Sequence, residues 1–229
     1  MSESRPKVLV LKDGPYEVHG EVPLARQTIV SNAEGESLDW KEGEHLPLPH
    51  GGRLCRCGQS GNKPFCDGTH AKVGFDGTET ASRDPYVVQA ETLEGPAVTL
   101  TDAERLCAFG RFCDPKGRIW NVAQRDGAEA RAIVEDEAGK CPGGRLVAWD
   151  PNTGHAVEPQ LRPSLGLVQD PVRHVSGPLW VRGGIPVVAA DGHAYEVRNR
   201  VALCRCGASS NKPFCDGSHA STGFRDDEP

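Results

Sequence analysis

One segment of this chain occurs twice. Residues 55–70 read CRCGQSGNKPFCDGTH, and residues 204–219 read CRCGASSNKPFCDGSH. A Gly-Phe pair follows each copy, Gly74-Phe75 and Gly223-Phe224. The echo reaches upstream, where Gly14-Pro15-x-x-Val18-x-Gly20-x-Val22-Pro23-Leu24 matches Gly177-Pro178-x-x-Val181-x-Gly183-x-Ile185-Pro186-Val187. A repeat constrains the fold first, because two copies of one unit need the same local structure. The upstream motif recurs at an offset of 163 residues and the cysteine motif at 149. The first copy therefore carries 14 extra residues, expected as a loop within 31–50.

The cysteines explain why such a chain can fold at all. Its 229 residues include 27 Gly and 18 Pro but only 6% aromatics, and a loop-rich, aromatic-poor chain builds a core poorly without a staple. Nine cysteines supply one, and an odd count does not suit a simple disulfide framework. No stretch approaches the roughly 20 apolar residues of a membrane helix. The start, Met-Ser-Glu-Ser-Arg-Pro, has no apolar core for a secretory signal. A reducing, cytoplasmic setting is expected, where clustered cysteines bind metal more often than they pair. The net charge of −6, with no basic tract, argues against nucleic-acid binding.

Each copy has the spacing C-x-C-x8-C-x3-H: Cys55, Cys57, Cys66, His70 and Cys204, Cys206, Cys215, His219. Three thiolates and an imidazole make a four-ligand set for a soft metal centre. Cys66 and His70 stand i and i+4, on one face if a helical turn begins there. Asp67 and Asp216 are placed to cap that turn. Pro64 and Pro213 stiffen the approach, and Gly58, Gly68, Gly207 and Gly217 let the backbone come close with its N–H groups. These ligands alone do not separate zinc from an iron–sulfur cluster.

The full pattern, C-x-C-x2-S-x3-P-x-C-D-G-[ST]-H, resembles the CDGSH iron–sulfur family, the NEET-type proteins. Both copies match it, beyond the ligands themselves, at Ser60, Pro64, Asp67, Gly68 and at Ser209, Pro213, Asp216, Gly217. The resemblance implies a 2Fe–2S cluster in each copy, with Cys55 and Cys57 on one iron and Cys66 and His70 on the other. Cys204 and Cys206 would likewise face Cys215 and His219. Lys63 and Lys212 either tune the centre, dock a partner or are solvated surface lysines.

Three cysteines remain: Cys107 and Cys113 in C-x5-C, then Cys141-Pro142. The first and third cysteines of the bacterial ferredoxin run are separated in the same way, with Gly110 here at the missing middle cysteine. With Gly117-Arg118-Ile119-Trp120 and the run CPGGRL at 141–146, residues 95–150 resemble the divergent single-cluster ferredoxin-like domain. That implies a third cluster, 3Fe–4S or 4Fe–4S with one non-cysteine ligand such as Asp114. The alternative is three inert, buried cysteines in a domain without a cluster.

The organisation expected is a first CDGSH module (1–94), a ferredoxin-like middle segment (95–150) and a second CDGSH module (151–229). The fold class is α+β: small β-rich, metal-stapled modules, a duplicated β/loop/short-helix unit around a small α+β insert. Strands are expected at 7–11, 180–181, 186–189 and 195–197. Helices are expected at 101–109, with Thr101 as N-cap, and at 128–138, ending at Gly139. His19, His45, His50, His155, His174 and His193 have no spaced partners, and Trp120, Trp149 and Trp180 read as core. No motif of a hydrolase, nucleotide-binding or zinc-protease site occurs, so no enzyme activity is expected. The function read from the sequence is one-electron transfer, with cluster storage or transfer to apo-acceptors as the alternative. A zinc-stabilised protein-interaction module is the contrasting class. Expected partners are a redox partner or an apo iron–sulfur acceptor, with no nucleic acid or membrane. The two modules are expected to pair as a pseudo-dimer within the chain.

Overall fold

The computed structural model describes residues 5–226. Residues 1–4, on which the reading of a missing leader partly rests, and 227–229, the end of the expected second CDGSH module, lie outside the described residues.

Strands β1 (Lys7–Val10), β2 (Tyr16–His19), β3 (Leu24–Ser31), β4 (Ser37–Leu46) and β5 (Gly52–Leu54) lead to the first cysteine loop and a short helix, α1 (Thr69–Lys72). After α2 (Tyr86–Gln89) come β6 (Glu91–Leu93), β7 (Thr99–Asp102), α3 (Ile119–Ala123), α4 (Ala128–Lys140), β8 (Leu146–Trp149) and β9 (Ala156–Val157). The last part holds β10 (Ser164–Asp170), β11 (Val175–Arg182), β12 (Val187–Val188), β13 (Arg200–Leu203), the second cysteine loop and α5 (Ser218–Thr222). The protein is thus β-rich with few helices. Among the described residues no helix is long and apolar enough to cross a membrane.

The strands form three sheets, ordered β12-β1-β2-β5, β13-β11-β10-β3-β4 and β6-β7-β8-β9. The first two exchange strands. β12, from late in the chain, joins β1 in parallel with Val8 opposite Val187. β3, from early in the chain, joins β10 in parallel with Leu165 opposite Leu24. The inner registers repeat too: Val8 faces Val18 and Leu165 faces Val181, and Tyr16 faces Leu54 as Leu179 faces Leu203. Parallel neighbours need a long crossover, and here most of the chain supplies it. Leu24, Val187, Leu165, Leu179 and Leu203 all enter one shared core with Tyr16 and Leu54, so burial of one half's apolar face depends on a strand from the other.

Four local expectations differ from the structure. The 31–50 segment is not a loop: its residues 37–46 are β4, a largely exposed edge strand paired with β3, held by Trp40 stacked between Phe112 and Trp180. The helix expected at 101–109 is a strand followed by one 3-10 turn (Glu104–Leu106). Thr101 pairs with Val147, and its Oγ1 bonds with Tyr86 Oη and accepts from Trp149 Nε1, so cross-strand pairing outweighs the capping signal. Residues 195–197 form no strand; Tyr195 instead lies edge-on to Phe214. Helix α4 runs through Gly139 to Lys140 and stops at Cys141, where the following proline disfavours helical backbone.

Candidate metal centres

The two cysteine loops are built by the same contacts. Cys55 N–H donates to Pro64 O at 2.8 Å and Cys66 N–H to Arg53 O at 2.9 Å, closing the loop at its base. Cys204 to Pro213 O and Cys215 to Ala202 O, both 2.9 Å, close the other. Ser60 Oγ donates to Phe65 O and accepts from Asn62 N–H; Ser209 does the same with Phe214 and Asn211. Asp67 accepts from Thr69 and Gly61 N–H, both at 2.9 Å, and these bonds hold its carboxyl well below the ordinary range. Asp216 accepts from Ser218 and Ser210 N–H; burial pushes its pKa up, but the bonds outweigh it and bring it to about 2. The aspartate therefore ties the short helix to the loop tip.

Within this frame the four ligand candidates of each copy stand as two pairs. Cys55 Sγ and Cys57 Sγ are 3.7 Å apart, and Cys66 Sγ is 3.3 Å from His70 Nδ1. Cys204 and Cys206 are 3.7 Å apart, and Cys215 Sγ is 3.4 Å from His219 Nδ1. Among the described residues no three Cys, His, Asp or Glu groups converge as a single-ion site. Within each Cys-x-Cys pair, the hydrogen bond with the second sulfur lowers the pKa of the first, and backbone N–H groups of Ser60 and Gly58, or Ser209 and Gly207, add to this. Those N–H groups form a nest for negative sulfur. Gly68 and Gly217, both at φ +86°, turn their own N–H toward Cys66 and Cys215 Sγ at 3.5 and 3.4 Å. His219, 4% exposed, is pushed down to about 4 by burial and by the Arg205 charge. It is therefore neutral, as a metal ligand must be. Thiolates in an N–H nest beside a Cys–His pair fit a binuclear 2Fe–2S group.

The arginine inside each C-R-C escaped attention in the sequence. Arg56 and Arg205 are 1% and 2% exposed. Arg56 donates to Gly14, Gly77 and Leu11 carbonyls. Arg205 donates to Gly177 and Val168 carbonyls but to the Asp226 carboxylate where Arg56 meets Gly77. Each lies over the phenylalanine of its Gly-Phe pair, Phe75 at 5.2 Å and Phe224 at 5.6 Å, which gives that pair a role. The signal was present: an identical charged residue between paired ligands in both copies.

The loops also meet each other. A Cβ on Gly58 would lie 2.5 Å from Cys206 O, and one on Gly207 would lie 2.5 Å from Cys57 O. Tyr16 Oη donates to Cys204 O and Pro213 O at 2.8 and 3.1 Å, so β2 of one half supports the loop of the other.

In the middle segment the structure brings Cys107, Cys113 and Cys141 around one small cavity, with Gly110, Pro142 and Arg145 in its wall. Burial, then the charges of Asp114, Cys141 and Cys107, push the Cys113 thiol up to about 12. Arg145 is paired with Asp102 at 2.6 Å, and that bond and the nearby Cys107 sulfur raise its pKa. Three thiols around one space with a cation beside them fit a cluster. Asp114 is not in that wall. At Gly110 an added Cβ would press Pro142 at 3.0 Å and Phe112 at 3.3 Å, so the missing cysteine's place is filled by packing. Glu137 is another residue the sequence reading passed over: it is 3% exposed, neither carboxylate oxygen has a hydrogen-bond partner, and burial pushes it up to about 7.

The two cysteine loops differ in what covers them. On the second, Phe109 Cβ and Cys107 O lie 3.3 and 3.4 Å from a Gly217 Cβ, Asn211 Nδ2 donates to Arg105 O at 2.8 Å, and Ala108 packs with Ala202 and Cys215. The 77–90 segment adds Thr80 and Ala81 N–H bonds to Lys212 O. On the first loop a Gly68 Cβ would meet nothing within 4 Å, Asn62 is exposed, and Cys66 and His70 are half-buried.

Two family models match the segments that carry these cysteines. Residues 13–71 and 176–220 match the family described as iron-binding zinc finger CDGSH type. Residues 93–151 match the family described as divergent 4Fe-4S mono-cluster. No curated protein and no solved structure matched the chain.

Proposed function

We propose, from the premise that the chain is a tandem CDGSH iron–sulfur protein with a divergent 4Fe–4S segment between its copies, that it is a one-electron carrier rather than an enzyme. Its residues would hold a 2Fe–2S cluster on Cys55, Cys57, Cys66 and His70 and another on Cys204, Cys206, Cys215 and His219. Cys107, Cys113 and Cys141 would hold a third, 3Fe–4S or 4Fe–4S. The observation that carries this reading is contiguity. Gly58 and Gly207 seat the two CDGSH loops back to back, and Cys107 lies against Gly217. Three thiol sets in one unbroken row suit electron traffic between them.

With imidazole in place of one thiolate, each 2Fe–2S group is less negative by one charge and its potential is higher than an all-cysteine centre's. The chain's part is to hold and tune. Asp67 and Asp216 fix the histidine-bearing turns, the N–H nests stabilise negative sulfur, and Arg56 and Arg205 set a buried positive charge between paired ligands. The matched registers of the strand-exchanged sheets support a pseudo-two-fold pairing of the copies within the chain. A cytoplasmic carrier exchanging electrons with a protein partner, without nucleic acid or membrane, is consistent with its acidic charge.

One observation favours a second reading, cluster delivery: Cys66 and His70 are half-buried whereas Cys215 and His219 are buried, so the first site is the one an acceptor could reach. A zinc-stabilised module would need four ligands on one ion, and the ligands here stand in pairs. Mixing the holoprotein with an apo-ferredoxin separates the two iron–sulfur readings. Reversible reduction with the cluster retained supports the carrier, and loss of cluster to the acceptor overturns it in favour of delivery.

A further inference from the structure

The two cysteine loops are nearly identical in sequence, yet one carries a lid and the other does not. On the second copy the lid is the ferredoxin-like middle segment, which sets its Cys107–Phe109 turn on Gly217 and the backbone of Arg105 on Asn211. Asn211 and Asn62 occupy the same motif position, as do Gly217 and Gly68. The first copy thus keeps both groups that receive the lid, the amide and the bare glycine, but Asn62 makes no side-chain hydrogen bond among the described residues and stands exposed.

The sheet beneath differs in a telling way. In the second copy the cross-strand pair beside the loop is Trp180 opposite Ala202, both buried, Trp180 against Phe112 and Ala202 against Ala108. The same register position in the first copy is Glu17 opposite Arg53, joined at 3.0 Å. An apolar pair suits a permanent cover, whereas a charged pair suits a surface that is wet between encounters. The carboxylates near this face are already engaged, Glu17 by His19 and Arg53 and Asp67 by backbone N–H groups. Arg53 and Lys72 extend outward, exposed.

We infer that the uncovered face of the first CDGSH copy is the docking site for an acidic, one-cluster ferredoxin-type protein, which takes there the position the middle segment takes on the second copy. The partner would present its own cysteine loop to Gly68 and Asn62, with carboxylates toward Arg53 and Lys72. The chain as a whole carries −6, so an acidic partner is repelled elsewhere and steered to this face. The inference rests on the iron–sulfur carrier reading, but its test does not.

The test is calorimetric titration of oxidised holoprotein with an oxidised acidic single-cluster 4Fe–4S ferredoxin, so that no electron moves. Saturable binding at low salt that weakens as salt rises is expected. Arg53→Glu and Lys72→Glu should each weaken it by about tenfold, and Lys41→Glu, a charge reversal on the exposed edge strand β4, should leave it unchanged. If Arg53→Glu fails to fold, Lys72→Glu alone decides. No saturable binding by the wild-type protein, or an equal loss in Lys41→Glu, would overturn the inference. Binding as expected, followed by no electron passage when the ferredoxin is reduced, would leave the docking face standing and remove the carrier reading.

Discussion

Asp226→Asn should destabilise the shared fold as a whole and change the second centre without changing the first. The Asp226 carboxylate is buried and accepts from Arg205, from Ser176 Oγ at 2.7 Å, from Gln169 Nε2 at 2.9 Å and from Arg26 at 3.4 Å. Removing one charge of a buried pair costs about 3–5 kcal/mol, because the other charge stays desolvated. An asparagine keeps one acceptor oxygen, which places the cost near the lower end, about 3 kcal/mol. With a urea slope of about 2–3 kcal/mol/M, the urea midpoint falls by about 1 M. The hydrogen bonds and the Arg205 charge outweigh burial and hold the Asp226 pKa far below its ordinary value. Its contribution is therefore complete above the unfolded value of about 4 and is lost as pH falls toward the folded one. The gap between wild type and variant should be full at pH 7 and shrink below about pH 4. The assay is parallel urea titration of both holoproteins, followed by visible absorption and circular dichroism. The same change leaves Arg205 uncompensated beside Cys204 and Cys206, so the potential of the second centre should rise while that of the first, where Arg56 faces only carbonyls, stays put. A midpoint unmoved at pH 7, or a gap independent of pH, would refute the reasoning.

Gly58→Ala should cost about 2–4 kcal/mol in urea titration, since its Cβ would strike Cys206 O as well as strain a positive φ. Gly51→Ala, at φ +72° with nothing within 4 Å, should cost only about 1 kcal/mol, and equal losses would deny the contact between loops. Glu137 is raised from 4.5 to about 7, so the folded state holds a proton the unfolded state releases, and stability falls as pH rises through that window by up to about 3 kcal/mol. Glu137→Gln should therefore raise the thermal midpoint at pH 8 and change it little at pH 5. A chelator should remove iron in two phases, the fast one from the half-exposed first site. His70→Cys should slow that phase, and His219→Cys should leave it unaltered.

The pairing of Cys55 with Cys57 and of Cys66 with His70, and the same pairs in the second copy, was legible in the sequence because their spacing is local, and Ser60 and Asp67 close the loop tip as their positions in the motif imply. The gathering of Cys107, Cys113 and Cys141 was legible for the same reason. The exchange of β3 and β12 was not, since Leu24 meets Leu165 only through long-range pairing that no local pattern records. Thr101 carried a helix-start signal that was overruled by its strand partner Val147, and β4 was hidden by the Gly and Glu residues an exposed edge strand tolerates. The unequal covering of the two loops lay outside sequence reading altogether. Asn62 and Asn211 are the same residue in the same motif, and only the packing of Arg105 and Phe109 separates them.

Iron and acid-labile sulfide counted per chain, with the EPR spectrum of the reduced protein, test the central claim most directly. Two 2Fe–2S groups and a third centre, 3Fe–4S or 4Fe–4S, give about seven or eight irons and about eight sulfides per chain, with overlapping signals from reduced clusters. A colourless protein carrying zinc, with neither iron nor sulfide after anaerobic purification, would contradict the account.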